Sequence, residues 1–314
     1  MIQAHAGPPV ARPHSLRSVS LLVPDPEAMA DFYTGTWGLT ATERGEGTAW
    51  LRGSSREHHI LHLARNEQNA LGKIVFAVRD RREVDDAARA LAALDILLVH
   101  EPGPLDDAAG GYGLQFVDPE GRLVELSTEL YAVSERDANG REAVPRKIAH
   151  VVLNTVDIDA ACAFYTRVLG MRVSDWSEHQ MAFLRCNNDH HVIAFNQGDW
   201  TSLNHVAYEM PSIDHFMRGI GNLRRSGITP EWGPGRHGPG DNTFSYFTDP
   251  AGLVCEYTSE VAQIEEDSWL CRVWPRTAEL SDQWGTAGPP TQTVRTHMAG
   301  VPDLGYLSRH KRAS

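Results

Sequence analysis

The stretch KIAHVVLNTVDIDAACAFY (residues 147–165) repeats the plan of SVSLLVPDPEAMADFY (residues 18–33), and this duplication constrains the fold more than any other feature of the chain. Four units follow from it. The first has a strand over Val19 to Val23, a turn at PDPE, a helix carrying AMADFY, and three more strands ending in REHHILHLA. The third, from about Lys147, copies that order and ends in DHHVIAF. The second and fourth begin on GKIVFAV and NHVAYEM, continue through a helix, and close with the hairpins GLQFVDPEGRLVELST and TFSYFTDPAGLVCEYTS. Their shared D-P-x-G is a chain reversal, in which proline presets φ and glycine supplies the positive φ.

The predicted class is therefore α+β, with four βαβββ modules paired into two domains. Residues 1–135 form the first and 146–285 the second, joined through the polar linker ERDANGREAVPR. At 314 residues and 41% hydrophobic content the chain can fill two cores of ordinary size. A tail, residues 286–314, follows the tryptophans Trp269, Trp274 and Trp284; it is expected to pack partly over the second domain and to fray at its end.

A formal charge of −12 argues against a polyanionic partner, because nucleic-acid binding relies on a basic face. A small neutral or aromatic ligand fits better. The first fifteen residues hold no apolar run of the signal-peptide kind, and nothing approaches the roughly 20 apolar residues of a membrane span. The expectation is a cytoplasmic protein with no membrane partner. Cys162, Cys186, Cys255 and Cys271 form no C-x-x-C pair, so neither a disulfide framework nor a thiolate zinc site is signalled.

Four polar residues of the second half stand on strands where apolar residues belong: His150, His191, His205 and Glu256. A carboxylate between Val254, Cys255 and Tyr257 costs several kcal/mol if buried alone, so it needs a cation or proton. Two neutral imidazoles do not supply that charge; a divalent metal does. Two histidines and one carboxylate make the facial triad that leaves coordination positions open for non-haem Fe(II), with Mn(II) as the substitute.

A single strand histidine is more often a core residue than a ligand, and a lone Glu256 would read as a salt-bridged strand end. The repeat lifts the combination above that. His150 and His205 stand 55 residues apart, as do Ser18 and Lys73; Glu256 follows His205 by 51 residues and Glu125 follows Lys73 by 52. The first domain thus keeps the frame with Ser, Lys and Glu in place of His, His and Glu. Its metal site is expected to be lost, with the Lys73 ammonium free to neutralise Glu125 directly.

With these motifs in place, the chain resembles the type I extradiol ring-cleavage dioxygenases of the vicinal oxygen chelate superfamily, over residues 14–285 and most densely over 147–257. The resemblance implies that each pair of modules closes a half-barrel, the glyoxalase-like fold, and that the assembly is a homo-oligomer. It implies His150, His205 and Glu256 as the metal set and aligns CNNDHHVIAF with the segment bearing the acid/base, here His191. PGRHGPGDNTFSYFTDPAG is similar to the segment bearing a histidine near the metal and a tyrosine, here His237 and Tyr246. The implied partners are an aromatic diol and O2, and the implied reaction opens the ring beside the diol in aromatic degradation. His191, Tyr246 and His237 are all candidates to take the second diol proton.

Members that act on carboxylated catechols carry Asn two residues after the first metal histidine and Arg five before the later one. Here those positions are Val152 and Trp232, so the pocket looks apolar, with Phe183 forming another wall. His190 is expected to face outward or to stand behind the pocket, since strand alternation turns only one of two adjacent residues inward. His58, His59 and His62 match the same repeat position, and His59 reads as an inherited shadow of His191. Two other functions fit the modules: a glyoxalase-like isomerase or lyase using Zn(II) or Ni(II), with a more carboxylate-rich ligand set, and a non-catalytic binding protein of the bleomycin-resistance type.

Overall fold

The structure is a computed structural model that describes residues 9–136, 142–265 and 268–311. The first eight residues, the centre of the ERDANGREAVPR linker and the last three residues lie outside the described residues.

The first half runs β1 (Ser15–Val23), α1 (Pro26–Gly35), β2 (Thr40–Gly45), β3 (Thr48–Arg52), β4 (Leu61–Arg65), β5 (Ala70–Ala77), α2 (Arg81–Ala92), β6 (Leu98–Pro104), β7 (Tyr112–Val117) and β8 (Leu123–Thr128). The second half repeats this as β9 (Lys147–Thr155), α3 (Ile158–Leu169), β10 (Arg172–Ser177), β11 (Met181–Arg185), β12 (Ile193–Gln197), β13 (Ser202–Glu209), α4 (Ile213–Arg225), β14 (Trp232–Arg236), β15 (Thr243–Thr248) and β16 (Val254–Ser259). After it come β17 (Arg272–Trp274), α5 (Ala278–Ser281), α6 (Gln292–Ala299) and α7 (Tyr306–Lys311). Four βαβββ modules are thus present.

The sheets share one strand order. The first is β2-β3-β4-β1-β5-β8-β7-β6; the second is β10-β11-β12-β9-β13-β16-β15-β14, extended by β17 on the β10 edge. Each module's first two elements are set by local chemistry. Asp25, Asp80, Asp157 and Ser212 each accept a hydrogen bond from the backbone N–H three residues on, so every module helix starts where a capping side chain follows its strand. Both D-P-x-G turns close alike. Asp118 accepts from Glu120 N and Arg122 N, Asp249 from Ala251 N and Leu253 N, and Gly121 and Gly252 take φ values of 87° and 80°.

The halves pack through a contact used twice. The Tyr33 hydroxyl at the end of α1 donates to Asp249 in the second half's hairpin turn, and the Tyr165 hydroxyl of α3 donates to Asp118 in the first half's turn, both at 3.1 Å. Trp37, fully buried, stacks on Tyr257 with ring centroids 3.9 Å apart. Aromatic burial of this size and specific geometry makes the halves one packed body.

The tail packs over the second half as expected, and its last three residues, where fraying was expected, lie outside the described residues. Thr291 caps α6, Val294 is fully buried against Trp232, Phe244, Tyr246 and Val254, and α7 crosses back to the first half, where Tyr306 N donates to Gly121 O. Among the described residues no helix is long and apolar enough to cross a membrane.

Candidate metal centre and active site

Register explains why the spacing arithmetic works. His150 and Glu256 both pair with Ala207 of β13, one from β9 and one from β16, so all three residues sit at one level of the sheet. His205, two residues before Ala207, has the same side-chain direction as the residue at that level and reaches the same point. In the first half Ser18 and Glu125 both pair with Val75, two residues after Lys73, which is the same construction.

The three donor groups converge. One ligand atom from each of His150, His205 and Glu256 lies within 4.8 Å of the others, and all three residues are buried. Nε2 of His150 and Nε2 of His205 each stand 3.1 Å from Oε2 of Glu256, while Oε1 has no partner. The state of His205 can be worked out from its neighbours. Asn204 gives its Nδ2 to Asn154 Oδ1, so its Oδ1 faces His205 and must receive the Nδ1–H, at 2.8 Å. Nε2 of His205 is then a bare lone pair facing a carboxylate oxygen, and it has no hydrogen-bond partner. Two electron-rich atoms in a dry site are stable only with a cation between them. The donor set therefore fits a divalent ion with open coordination positions. Burial raises the Glu256 carboxyl; with no ion present only protonated imidazoles at His150 and His205 would hold it down, to about 2, and the neutral His205 does not.

Asn154 extends this support outward. Its Oδ1 accepts from Asn196 and Asn204, and its Nδ2 donates to Ser202 Oγ and to the Met298 carbonyl at the end of α6. The Ala299 carbonyl receives Ser202 Oγ and the Trp200 indole N–H. The orphan carbonyls of a helix C-terminus are thereby satisfied by the wall of the site.

A cavity of about 550 Å³ opens on this centre, within the usual range for a small-molecule site. His150, His205, His191, His237 and Tyr246 line it, as do Val152, Phe183 and Trp232. Every site residue read from the sequence is therefore brought together, with Glu256 behind the histidines. Beside these apolar walls the lining carries amides, Asn204 next to His205 among them, and adds Arg276, which bonds Ser177 Oγ, and Arg295, which bonds Pro290 O. Neither forms an ion pair among the described residues, and both lie in the segment that has no repeat counterpart.

His237 and Tyr246 act as a pair. Nδ1 of His237 stands 2.9 Å from the Ser281 carbonyl and so carries the proton, leaving Nε2 to accept the Tyr246 O–H at 3.0 Å. Burial pushes His237 down to about 4 and pushes the Tyr246 phenol well above its ordinary value, so both are neutral near pH 7. Burial, with His150 and His190 adding to it, also holds His191 well below the usual imidazole range.

Of the two places open to His190, the structure has it behind the pocket, between His191 and Asp175, and not outward. β12 begins only at Ile193, so strand alternation does not apply at 190 and 191, and both rings are buried at 89° to each other. In the first half, Lys73 Nζ lies 2.7 Å from Glu125 and 3.5 Å from Asp107, whose other neighbour is His59. His62, level with Lys73 on the sheet, gives both ring nitrogens to Ser20 and Thr48.

Fold and site together define a βαβββ-module protein whose second half gathers two histidines and one carboxylate in an arrangement that could hold a metal ion. Residues 15–126 and 147–257 match the Glyoxalase/Bleomycin resistance protein/Dioxygenase superfamily, and the chain belongs to that superfamily. A Mn(II)-bound glyoxalase from Novosphingobium aromaticivorans is 40% identical, with a TM-score of 0.86 over 90% of this chain and 94% of that one. Metapyrocatechase 2 of Cupriavidus necator is 28% identical over 90% of this chain and 93% of its own. Homoprotocatechuate 2,3-dioxygenase from Arthrobacter globiformis, 22% identical, shares the fold with a TM-score of 0.83 over 95% of this chain and 94% of that one.

Proposed function

We propose that the protein is an extradiol dioxygenase, which opens the aromatic ring of a catechol-type substrate with O2 at a non-haem Fe(II) centre held by His150, His205 and Glu256, with Mn(II) as the alternative ion. The observation that carries this reading is the bare Nε2 of His205 facing the fully buried Glu256 at the floor of a cavity that also presents three acid/base groups. The iron supplies a Lewis acid that gathers the two diol oxygens and lowers their pKa, and an electron relay between diol and dioxygen. In this reading residues 1–135 are a domain whose metal site is lost, 146–285 the catalytic domain and 286–314 a tail.

The chain's own groups then divide the work. Val152, Phe183 and Trp232 form the walls that hold the ring and keep water out. Because Nε2 of His237 is already taken by the Tyr246 O–H, a diol proton reaches His237 only through the Tyr246 oxygen, as a two-step relay. His191 spends Nδ1 on His190, which leaves Nε2 as the nitrogen with which it takes the second proton and later returns it. Homo-oligomeric assembly and a cytoplasmic location, with no nucleic-acid or membrane partner, complete the proposal.

The likeness to the glyoxalase supports a second reading, metal-dependent isomerisation or lysis without dioxygen. Against it stands the ligand set, in which one carboxylate serves two histidines. Oxygen uptake by the iron-loaded protein across a panel of catechols separates the two. The first reading expects stoichiometric O2 consumption and a yellow ring-fission product; no uptake with any diol overturns it.

A further inference from the structure

Behind His191 runs a chain of buried groups that the ligand set does not use. Nδ1 of His191 lies 3.0 Å from Nδ1 of His190, and Nε2 of His190 lies 3.0 Å from Oδ2 of Asp175 on β10. Asp175 and His190 are both fully buried. Asp175 also accepts from the Trp274 indole and from the backbone N–H of Arg272, both at 2.8 Å and both on β17. The His190 ring is held between Phe183 and Trp269, and its backbone N–H donates to Ala262 O. A Cβ on Gly240 would stand 3.1 Å from Cε1 of His191 and 3.3 Å from Nδ1 of His190, so the loop closes tightly over both rings.

Proton bookkeeping along this chain has one neutral solution. An ionised Asp175 only accepts, so Nε2 of His190 carries a hydrogen. A neutral His190 then has a lone pair on Nδ1, which must receive a hydrogen from Nδ1 of His191. Nε2 of His191 is left unprotonated, the form that can remove a proton. The donors on Asp175 support the first step: burial would raise its carboxyl, and His190, Trp274 and Arg272 together hold it below the ordinary value. The first half keeps a loosened version of the chain. Glu43 and Asp175 occupy matching positions on β2 and β10, opposite Trp50 and Phe183. Nδ1 of His58 is 3.2 Å from Nδ1 of His59, but Glu43 is half exposed and 3.8 Å from His58.

We propose that Asp175 and His190 are positioning residues for ring opening: they fix the tautomer of His191 so that its Nε2 meets the diol as a base. This rests on the reading of His191 as the acid/base group of an extradiol dioxygenase. The test compares His190→Phe, which removes both hydrogen bonds, with His190→Gln, whose amide can accept from His191 and donate to Asp175 but does not titrate. His190→Phe is expected to lower kcat about 10–100-fold with KM for the catechol and metal content unchanged, and His190→Gln to recover most of kcat. Nitrogen-15 spectra of ring-labelled histidine in the metal-free proteins give a readout independent of turnover: the His191 signals should report protonated Nδ1 in wild type and His190→Gln, and mixed tautomers in His190→Phe. Unchanged kcat in His190→Phe, a His190→Gln variant as slow as His190→Phe, or a wild-type His191 protonated on Nε2 each overturns the proposal. A wild-type enzyme that consumes no oxygen overturns the dioxygenase reading instead, and the spectra still decide the tautomer.

Discussion

At matching positions of one strand order, Glu125 and Glu256 are both buried carboxylates, and the two halves compensate them differently. Glu125 is met by the Lys73 ammonium at 2.7 Å and by Gln115 Nε2 at 2.8 Å, so its cation is covalently part of the chain. Glu256 is met by two imidazoles, neither of which brings a permanent charge, and its second oxygen has no partner. The comparison teaches that the strand frame specifies where a cation must sit and leaves its identity to two side chains. In the proposed reading a histidine pair leaves the cation exchangeable, whereas Lys73 supplies its own charge to Glu125.

The strongest way to break this comparison is Glu256→Gln, which keeps shape and removes the charge. Metal content should fall close to zero and oxygen uptake by about a thousandfold or more, while the first half's fold is untouched. Full metal occupancy in that variant would mean the carboxylate is not what holds the ion. Next in size is Lys73→Met. It leaves Glu125 and Asp107 buried without their cation and should cost about 3–5 kcal/mol in denaturant unfolding, with Glu125→Gln in the same chain recovering part of it. A change below about 1 kcal/mol would show that the ammonium is not the counterpart of the metal.

The hairpin turns offer a third contrast. Asp118 is paired with Arg122, while at the same offset from Asp249 stands Leu253. Burial raises the Asp249 carboxyl to about 7, above its ordinary 3.8, although two backbone N–H groups and the Tyr33 hydroxyl bond it. Between those values the folded protein binds a proton that the unfolded chain releases. The group's penalty is therefore absent below about pH 4, grows as pH rises, and is complete above about pH 7. Asp249→Asn should match wild type in acid and exceed it at pH 8 by on the order of 4 kcal/mol. Equal unfolding midpoints at pH 8 would remove this asymmetry. The smallest effect is expected from Val294→Ala, about 1–2 kcal/mol, read as faster amide exchange confined to α6. Exchange rising equally in both sheets would show that α6 is not a separate roof over the second half.

The repeat made the modules, the two ligand histidines, Glu256 and the Lys73–Glu125 pair legible, because a fixed sequence offset becomes a fixed strand register. The supports of those ligands were harder to see. Asn204 precedes His205 on a strand, and nothing in its type says that its amide will be oriented by Asn154 from the neighbouring strand. Asp175 did leave a trace, since it follows Tyr165 by the ten residues that separate Glu43 from Tyr33, but two unlike acids on short strands do not draw attention. Arg276, Arg295 and α6 belong to a segment without a second copy, so no offset could predict them. His191 lines the cavity and His190 stands behind it, as expected from their order, although the strand itself starts only at Ile193 and its alternation is not what turns the two rings apart.

Asn154 gives its amide hydrogens to Ser202 and to the end of α6, and its oxygen accepts from Asn204, the neighbour of His205. On a ribosome β9 and β13 emerge long before residues 292–299, so the strands can pair while the last brace on His205 is still being made. The support of His205 is thus completed by residues that lie about ninety positions after it in the chain.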